Sequence, residues 1–284
     1  MRSIRPLLAL LLIGLSGCAT IDFDAPKEAS YAPIETEATL IGRWVSEFSG
    51  ERAGQSGFLL LPQPLNAMAY RVTGAARAER TIDTMYYLIN ADKAGLIFIN
   101  SLIEAAERGV RVRLLLDDIL TGGYDRGLLA LNAHPNIQIR MFNPFARRGG
   151  LSRGLNFLGD FGRLNRRMHN KAFIVDNQTA VIGGRNIGDE YFAAHEVANF
   201  GDLDVLMLGP VVREASEMFD ELMSSIKQEI CVSVFRSSTS VESFESFISS
   251  LPQTLVHDEV SLLGGGGGGS TGGSAGGVSL ASAV

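Results

Sequence analysis

The sequence predicts an α/β protein, with a mixed, largely parallel sheet covered by helices on both faces. Short apolar runs of strand character alternate with segments of helical period between about residues 57 and 142. The 284 residues are 46% hydrophobic and 20% charged, a balance that suits a globular domain and excludes a disordered chain. The β-branched runs close on Gly or Asp-Asn, as buried strands ending in turns do. This length is enough for one large core or two modest ones.

Taken in order, the chain opens on a targeting segment over residues 1–17. Arg2 and Arg5 make a positive start, Pro6 to Leu15 an apolar stretch too short to span a bilayer stably, and Leu15-Ser16-Gly17-Cys18 a small-residue cleavage site ending in cysteine. That pattern looks like the lipobox of bacterial lipoproteins, which makes Cys18 the lipidated residue; an ordinary signal peptide or anchor helix with an incidental cysteine is the alternative. Either reading exports the protein to the cell envelope, where a lipidated Cys18 anchors it to a membrane facing the periplasm or exterior. With Cys18 acylated only Cys231 remains, so no intramolecular disulfide is available. Residues 18–39, with Pro26, Pro33 and several acids, read as a tether.

The globular domain is expected over residues 40–223. Gly57 to Leu61 is a short apolar run, Asn66 to Arg80 has helical spacing, and Thr81 to Ile89 alternates as a strand. Gly95 to Arg108 repeats apolar residues at helical spacing and Val110 to Leu116 is a strand. It ends in Asp117-Asp118, a pair that reads as catalytic, metal-binding, or capping a loop or helix. A helix near Asp125 to Ala133 and a strand at Ile137 to Phe142 follow, then a Gly- and Arg-rich loop from Asn143 to Asn165. From Arg140 to Lys171 the chain carries eight Arg and Lys against the single acid Asp160. Within a protein of net charge -6 this is a local positive patch suited to anionic head groups, or else a solvated loop face. The acidic total argues against general nucleic-acid binding. Phe200 to Pro210 reads as a further strand, Val211 to about Met223 as a helix, and residues 224–284 as a Ser- and Gly-rich low-complexity tail.

The chemistry concentrates in Arg166 to Glu190, whose spacing is H-x-K-x4-D-x6-G-G-x-N. Met168 to Val175 has strand composition, so alternation puts His169 and Lys171 on one face with Phe173 and Val175. Asp176-Asn177-Gln178 turns the chain into a second strand, Thr179 to Ile182, and Gly183-Gly184 permits a sharp bend and close approach to a ligand. A histidine, a lysine, the Asn186 amide and bare backbone amides at Gly183 and Gly184 suit a tetrahedral anion. An imidazole can attack phosphorus while lysine neutralises the equatorial oxygens, with no metal and no cofactor required.

The six spaced positions His169, Lys171, Asp176, Gly183, Gly184 and Asn186 resemble the HKD signature of the phospholipase D superfamily. The stretches Ser56 to Leu61, Ile82 to Tyr87, Gly109 to Asp118 and Gly183 to Phe192 look like the amino-terminal half of bacterial cardiolipin synthase-like members, over about residues 40 to 222. The resemblance implies a phospholipase D-like α-β-α sandwich and a phosphatidyltransferase that works through a phosphohistidine on phosphatidylglycerol or related anionic phospholipids. By the same resemblance His169, Lys171, Asp176 and Asp202 make the catalytic set: His169 is the nucleophile, Lys171 and Asn186 bind the non-bridging oxygens, and Asp176 supports the loop rather than reacting. Asp202, with Asp204 as the alternative, holds the nucleophilic imidazole in the right tautomer.

Members of this type carry two such motifs, and this chain carries one: His134, His195 and His257 have no lysine two residues on. A homodimer about a two-fold axis would bring two motifs together. The alternatives are an exported homodimeric phosphodiesterase or nuclease, and an inactive half-enzyme whose low-complexity tail stands where a second catalytic half is expected, as in a truncated or frame-shifted chain.

Overall fold

The computed structural model describes residues 29–121, 123–145 and 161–226. Residues 1–17, Cys18, Arg147, Arg148, Arg153 and the tail from 227 onward lie outside the described residues.

Helix α1, Leu40–Ser49, starts on Thr39, whose hydroxyl accepts the Gly42 amide as an N-cap should. Strand β1 is Gly57–Leu61, α2 Pro64–Arg77, β2 Thr81–Tyr86 and α3 Lys93–Glu107, the last capped by Asp92 through the Gly95 amide. Strand β3 is Arg111–Asp117, α4 Asp125–Asn132, β4 Ile137–Phe142 and α5 the single turn Phe161–Leu164. Strands β5, Ala172–Val175, and β6, Thr179–Gly183, form a hairpin, followed by β7, Asp204–Leu208, and the closing helix α6, Pro210–Ser225.

The seven strands run in the order β1-β7-β6-β5-β2-β3-β4. Only β2-β3 and β3-β4 are parallel, because only these neighbours are joined by the crossover helices α3 and α4. The other four pairings are antiparallel, so the sheet is mixed but not largely parallel as the sequence suggested. The β5-β6 link explains much of the difference. Asp176 and Asn177 take φ of 50° and 54°, and the Gln178 amide bonds to the Val175 carbonyl, a tight reversal that only an antiparallel pair can follow.

Helices cover both faces. On one, Ile82, Val112, Leu114, Phe173, Val175 and Val181 pack with Ala75 of α2 and Phe98 and Leu102 of α3. On the other, Met85, Leu115, Ile174 and Ala180 meet Val212, Ala215, Phe219 and Met223 of α6. This second face also buries Arg113, paired with Asp83 at 2.6 Å and with Asp220 of α6 at 2.7 Å.

The expected tether is in part docked. The carbonyls of Ser30 and Tyr31 accept from Arg113 and Arg111, Asp220 accepts from the Ala32 amide, and Thr36 is buried against Gln178. Its Pro and acid content reads as loop, but these carbonyls supply acceptors that buried arginines require.

Candidate active site

The segment that precedes β5 is not strand. β5 begins at Ala172, and residues 166–171 are drawn off the ladder because the Asp117 carboxylate, at the end of β3, accepts the Met168 amide at 2.9 Å. Asp117 also accepts from the Ile119 amide at 2.9 Å and from Arg167 Nη1 at 3.2 Å, and burial pushes its carboxyl pKa upward against those bonds. Of the readings open for Asp117-Asp118, anchoring is the one realised: Asp118 accepts from the Thr121 hydroxyl and the Phe145 amide.

His169 is exposed, and its ring stacks on Tyr87 with centroids 4.3 Å apart and planes 18° from parallel. Lys171 is only 8% exposed; its ammonium donates to the His169 carbonyl at 2.7 Å and lies 5.6 Å from the centre of the same Tyr87 ring. Burial lowers the Lys171 pKa, opposed by the charge of Asp202. Tyr87 follows β2 at its carboxyl end, the end of a parallel strand where α/β proteins place their ligands. Burial, reinforced by Asp117, raises its phenol pKa.

Asn186 comes to the same end of the sheet through a docked loop. The Ile187 amide and carbonyl bond to Leu88 and Asn90, Asp189 accepts the Ala94 amide, and Asp92 accepts the Asp189 amide. Asn186 Nδ2 then donates to the Tyr191 hydroxyl at 2.8 Å, and its Oδ1 is buried with no hydrogen-bond partner.

The phosphate-binding role expected for Gly183 and Gly184 is not the one they have. Their amides are spent in the sheet, on the carbonyls of Lys171 at 3.4 Å and Leu203 at 3.1 Å. What the two positions need is the absence of a side chain. A Cβ on Gly183 would lie 2.0 Å from Asp204 Oδ1 and 2.5 Å from the Leu203 carbonyl, and one on Gly184 would lie 2.1 Å from Asp202 Oδ1. The pair makes room for two carboxylates.

Those carboxylates differ. Asp204 is fully buried between Arg71 at 2.9 Å and Arg185 at 3.5 Å; Arg71 also donates to the Tyr86 hydroxyl, and Arg185 to the carbonyls of Leu61, Pro62 and Asp202. It is a structural centre. Asp202 is half-buried, accepts its neighbour's amide from Leu203, and faces Lys171 electrostatically. Among the described residues no hydrogen bond joins it to the His169 ring, the contact expected for a tautomer-setting carboxylate; the aromatic stack on Tyr87 orients the imidazole instead.

Asp176 is at the wrong end of β5 for catalysis, across the whole strand and roughly 16 Å from Lys171. Its carboxylate accepts the amides of Glu79, Arg80 and Thr81, fixing the start of β2. The two other histidines among the described residues lie outside the motif: His134 Nδ1 accepts from the Asn136 amide, and His195 Nδ1 from the amides of Val197 and Ala198. No group of three or more His, Cys, Asp or Glu among the described residues is arranged to hold a metal.

A sheet end that presents an exposed histidine, a buried lysine and an asparagine in HKD spacing defines a phospholipase D-like class of protein. The family model "Cardiolipin synthase, PLD-like domain" matches residues 74–223, more than half of the chain. The chain therefore belongs to the cardiolipin synthase-type, phospholipase D-like domain family. It is similar to cardiolipin synthase C of Escherichia coli (strain K12), 49% identical over 169 residues, which are 60% of this chain and 35% of that protein. It is also similar to an uncharacterized protein of Helicobacter pylori (strain ATCC 700392 / 26695), 36% identical over 214 residues, 75% of this chain and 43% of that one. The chain thus spans less than half the length of these relatives. Among solved structures, the phospholipase D family member Nuc from Salmonella typhimurium aligns with a TM-score of 0.40 at 19% identity, over 62% of this chain and 95% of that one.

Proposed function

We propose that this chain is a phosphatidyltransferase of cardiolipin synthase type that acts through a phosphohistidine. The observation that carries the reading is the pairing, on one tyrosine ring, of an exposed imidazole with a lysine side chain that is largely buried. A nucleophile needs access to substrate, and a charge placed for a transition state is worth more where water is excluded.

A ring nitrogen of His169 attacks the phosphorus of a phosphatidyl donor as the bond from phosphorus to the leaving alcohol breaks. A second histidine, protonated, gives its proton to the departing oxygen. That imidazole then takes the proton of an acceptor hydroxyl, whose oxygen attacks phosphorus and releases His169. Lys171 and Asn186 Nδ2, which keeps a second hydrogen beyond the one given to Tyr191, hold the non-bridging oxygens. The second histidine comes from a second motif, supplied by a second copy of the chain about a two-fold axis. Phosphatidylglycerol fits as acceptor, and a lipidated Cys18 would keep the site at the membrane surface. Among the described residues no helix is long and apolar enough to cross a membrane.

The test is transphosphatidylation of phosphatidylglycerol in detergent micelles by the purified chain and by His169→Ala, with molar mass from light scattering in the same buffer. Cardiolipin from the parent alone, at twice the monomer mass, is expected. A folded parent that makes no product, or an active His169→Ala, refutes the reading.

A further inference from the structure

Two residues before His169, Arg167 is held in a way that its structural contacts do not exhaust. Its side chain is only 7% exposed, and its guanidinium lies 5.2 Å from the centre of the Phe145 ring. Nη1 is used: it donates to Asp117 at 3.2 Å and to the Asn143 carbonyl at 3.4 Å. Nε and Nη2 are buried and have no hydrogen-bond partner among the described residues. Their N–H bonds run side by side along one edge of the planar group, the edge that pairs with two oxygens of a phosphate or carboxylate. Buried donors in folded proteins are nearly always satisfied, so a whole unpartnered edge calls for a ligand. Arg185, the motif's other buried arginine, leaves only Nε without a partner.

The edge is also near the chemistry. Arg167 stands two residues before His169, and the one Asp117 carboxylate fixes both Arg167 and the Met168 amide beside the nucleophile. Phe145, Asp117 and Asn143 hold the plane and the Nη1 corner of the guanidinium, so the orientation of the remaining edge is fixed before an anion arrives.

We propose that the Nε–Nη2 edge of Arg167 is a second anion subsite, binding the paired oxygens of a phosphodiester beside His169. The inference rests on reading this sheet end as a phosphatidyl-transfer centre, and adds to Lys171 and Asn186 a bidentate contact. The phosphodiester is either that of the donor or that of an anionic acceptor lipid.

An equilibrium measurement tests the subsite without turnover. Inorganic phosphate is titrated into the full chain, Arg167→Lys and Arg167→Met, each also carrying His169→Ala, while the Arg167 Nε–H resonance is followed by nitrogen-15 NMR where the arginine is present. Phosphate should move that resonance, and Arg167→Lys, which keeps the charge beside Asp117 but has no fork, should bind at least about tenfold more weakly. An unmoved resonance, or phosphate affinity in Arg167→Lys within about twofold of the parent, overturns the proposal. Folding is controlled by circular dichroism, and Asp117 keeps its amide bonds to Met168 and Ile119 in every variant.

Kinetics then separate the two sources. If the edge holds an acceptor, Arg167→Lys raises KM for phosphatidylglycerol about tenfold and leaves uncharged glycerol unaffected; if it holds the donor, both reactions lose alike. Parental kinetics with both acceptors also overturn the proposal. A His169→Ala chain that binds phosphate at Arg167 yet still turns over would refute the nucleophile and leave the subsite standing.

Discussion

Exchanging each of the adjacent glycines Gly183 and Gly184 for alanine should separate stability from catalysis. In Gly183→Ala the new Cβ sits 2.0 Å from Asp204 Oδ1, 2.5 Å from the Leu203 carbonyl and 2.6 Å from the Asp204 Cα, whereas ordinary contact begins at 3.4 Å. Two of those atoms are backbone, so β7 must shift, and the carboxylate cannot swing away without leaving Arg71 and Arg185. Breaking a buried charge pair costs about 3–5 kcal/mol, which for a domain of this size lowers Tm by roughly 6–20 °C.

In Gly184→Ala all three close contacts are to the Asp202 carboxylate, which is half-buried and free to rotate. The stability cost should stay below about 1 kcal/mol. The displaced carboxylate is the one that faces Lys171, however, and a misplacement of about an ångström is worth up to about a hundredfold in rate. Urea unfolding and transphosphatidylation rates below the melting range measure both effects. The reasoning fails if Gly183→Ala unfolds within 1 kcal/mol of the parent, or if Gly184→Ala keeps full turnover.

Other substitutions and conditions divide along the same lines. Lys171→Met should abolish turnover, by about a hundredfold or more, yet stabilise the fold at pH 7 by about 0.5–2 kcal/mol, because it removes a buried ammonium. The folded-state pKa of Lys171 lies below the ordinary 10.5, so between the two values the unfolded chain binds a proton that the folded chain does not, and the parent gains stability as pH rises. The variant's advantage should therefore shrink across that window; a parent more stable than Lys171→Met at pH 7 contradicts this. Asp176→Ala removes the acceptor of three backbone amides and should cost about 3 kcal/mol, its effect seen in denaturation midpoints; a folded variant with turnover down more than about tenfold would return Asp176 to the site. Finally, at low ionic strength, where the Debye length is roughly 30 Å, the net charge of -6 repels an anionic soluble diester at long range, so raising salt should first increase kcat/KM. A monotonic fall would mean that the local positive patch governs encounter.

The parts of the fold set by local pattern were legible. The helix periods of α2, α3 and α4 and the apolar runs of β2, β3 and β4 fall where the sequence places them within a few residues, and HKD spacing marks His169, Lys171 and Asn186 through side-chain chemistry alone. What could not be read depends on partners distant in the chain. The sheet is mostly antiparallel because three of its strands, β5, β6 and β7, follow one another without crossover helices, while the β2 to β4 alternation that dominates the sequence signal is parallel. Gly183 and Gly184 look like phosphate-cradling glycines until β7 brings Asp204 and Asp202 against them. The strand expected from Met168 starts at Ala172 because an aspartate 51 residues earlier takes its amide. Tyr87 ends one of the stretches that carry the resemblance, but nothing in its local sequence says that its ring lies under His169, 82 residues on. Helix α1 was missed although Thr39 is a good N-cap, because the segment before it read as tether.

The charges at this sheet end explain how an acidic protein can present an anion site. Arg71 and Arg185 are spent on Asp204 and one corner of Arg167 on Asp117, while Lys171 is faced by Asp202, so cations and carboxylates alternate around this sheet end. The buried pairs add little net stability beyond what apolar packing would give, because desolvation offsets most of their attraction. Their consequence is geometric. Asp204 fixes Arg185 and with it the Asp202 backbone, and Asp117 fixes Arg167 and the residue before the nucleophile, so each pair holds in place a group that still has donors or charge to offer. The Lys171 ammonium lies over the Tyr87 ring against which His169 stacks, and the second Asn186 hydrogen and one edge of Arg167 are the remaining unspent donors of the motif. An anion bound there meets donors that are already oriented, and the net charge of the rest of the chain, screened at this range, affects how fast it arrives more than how tightly it is held.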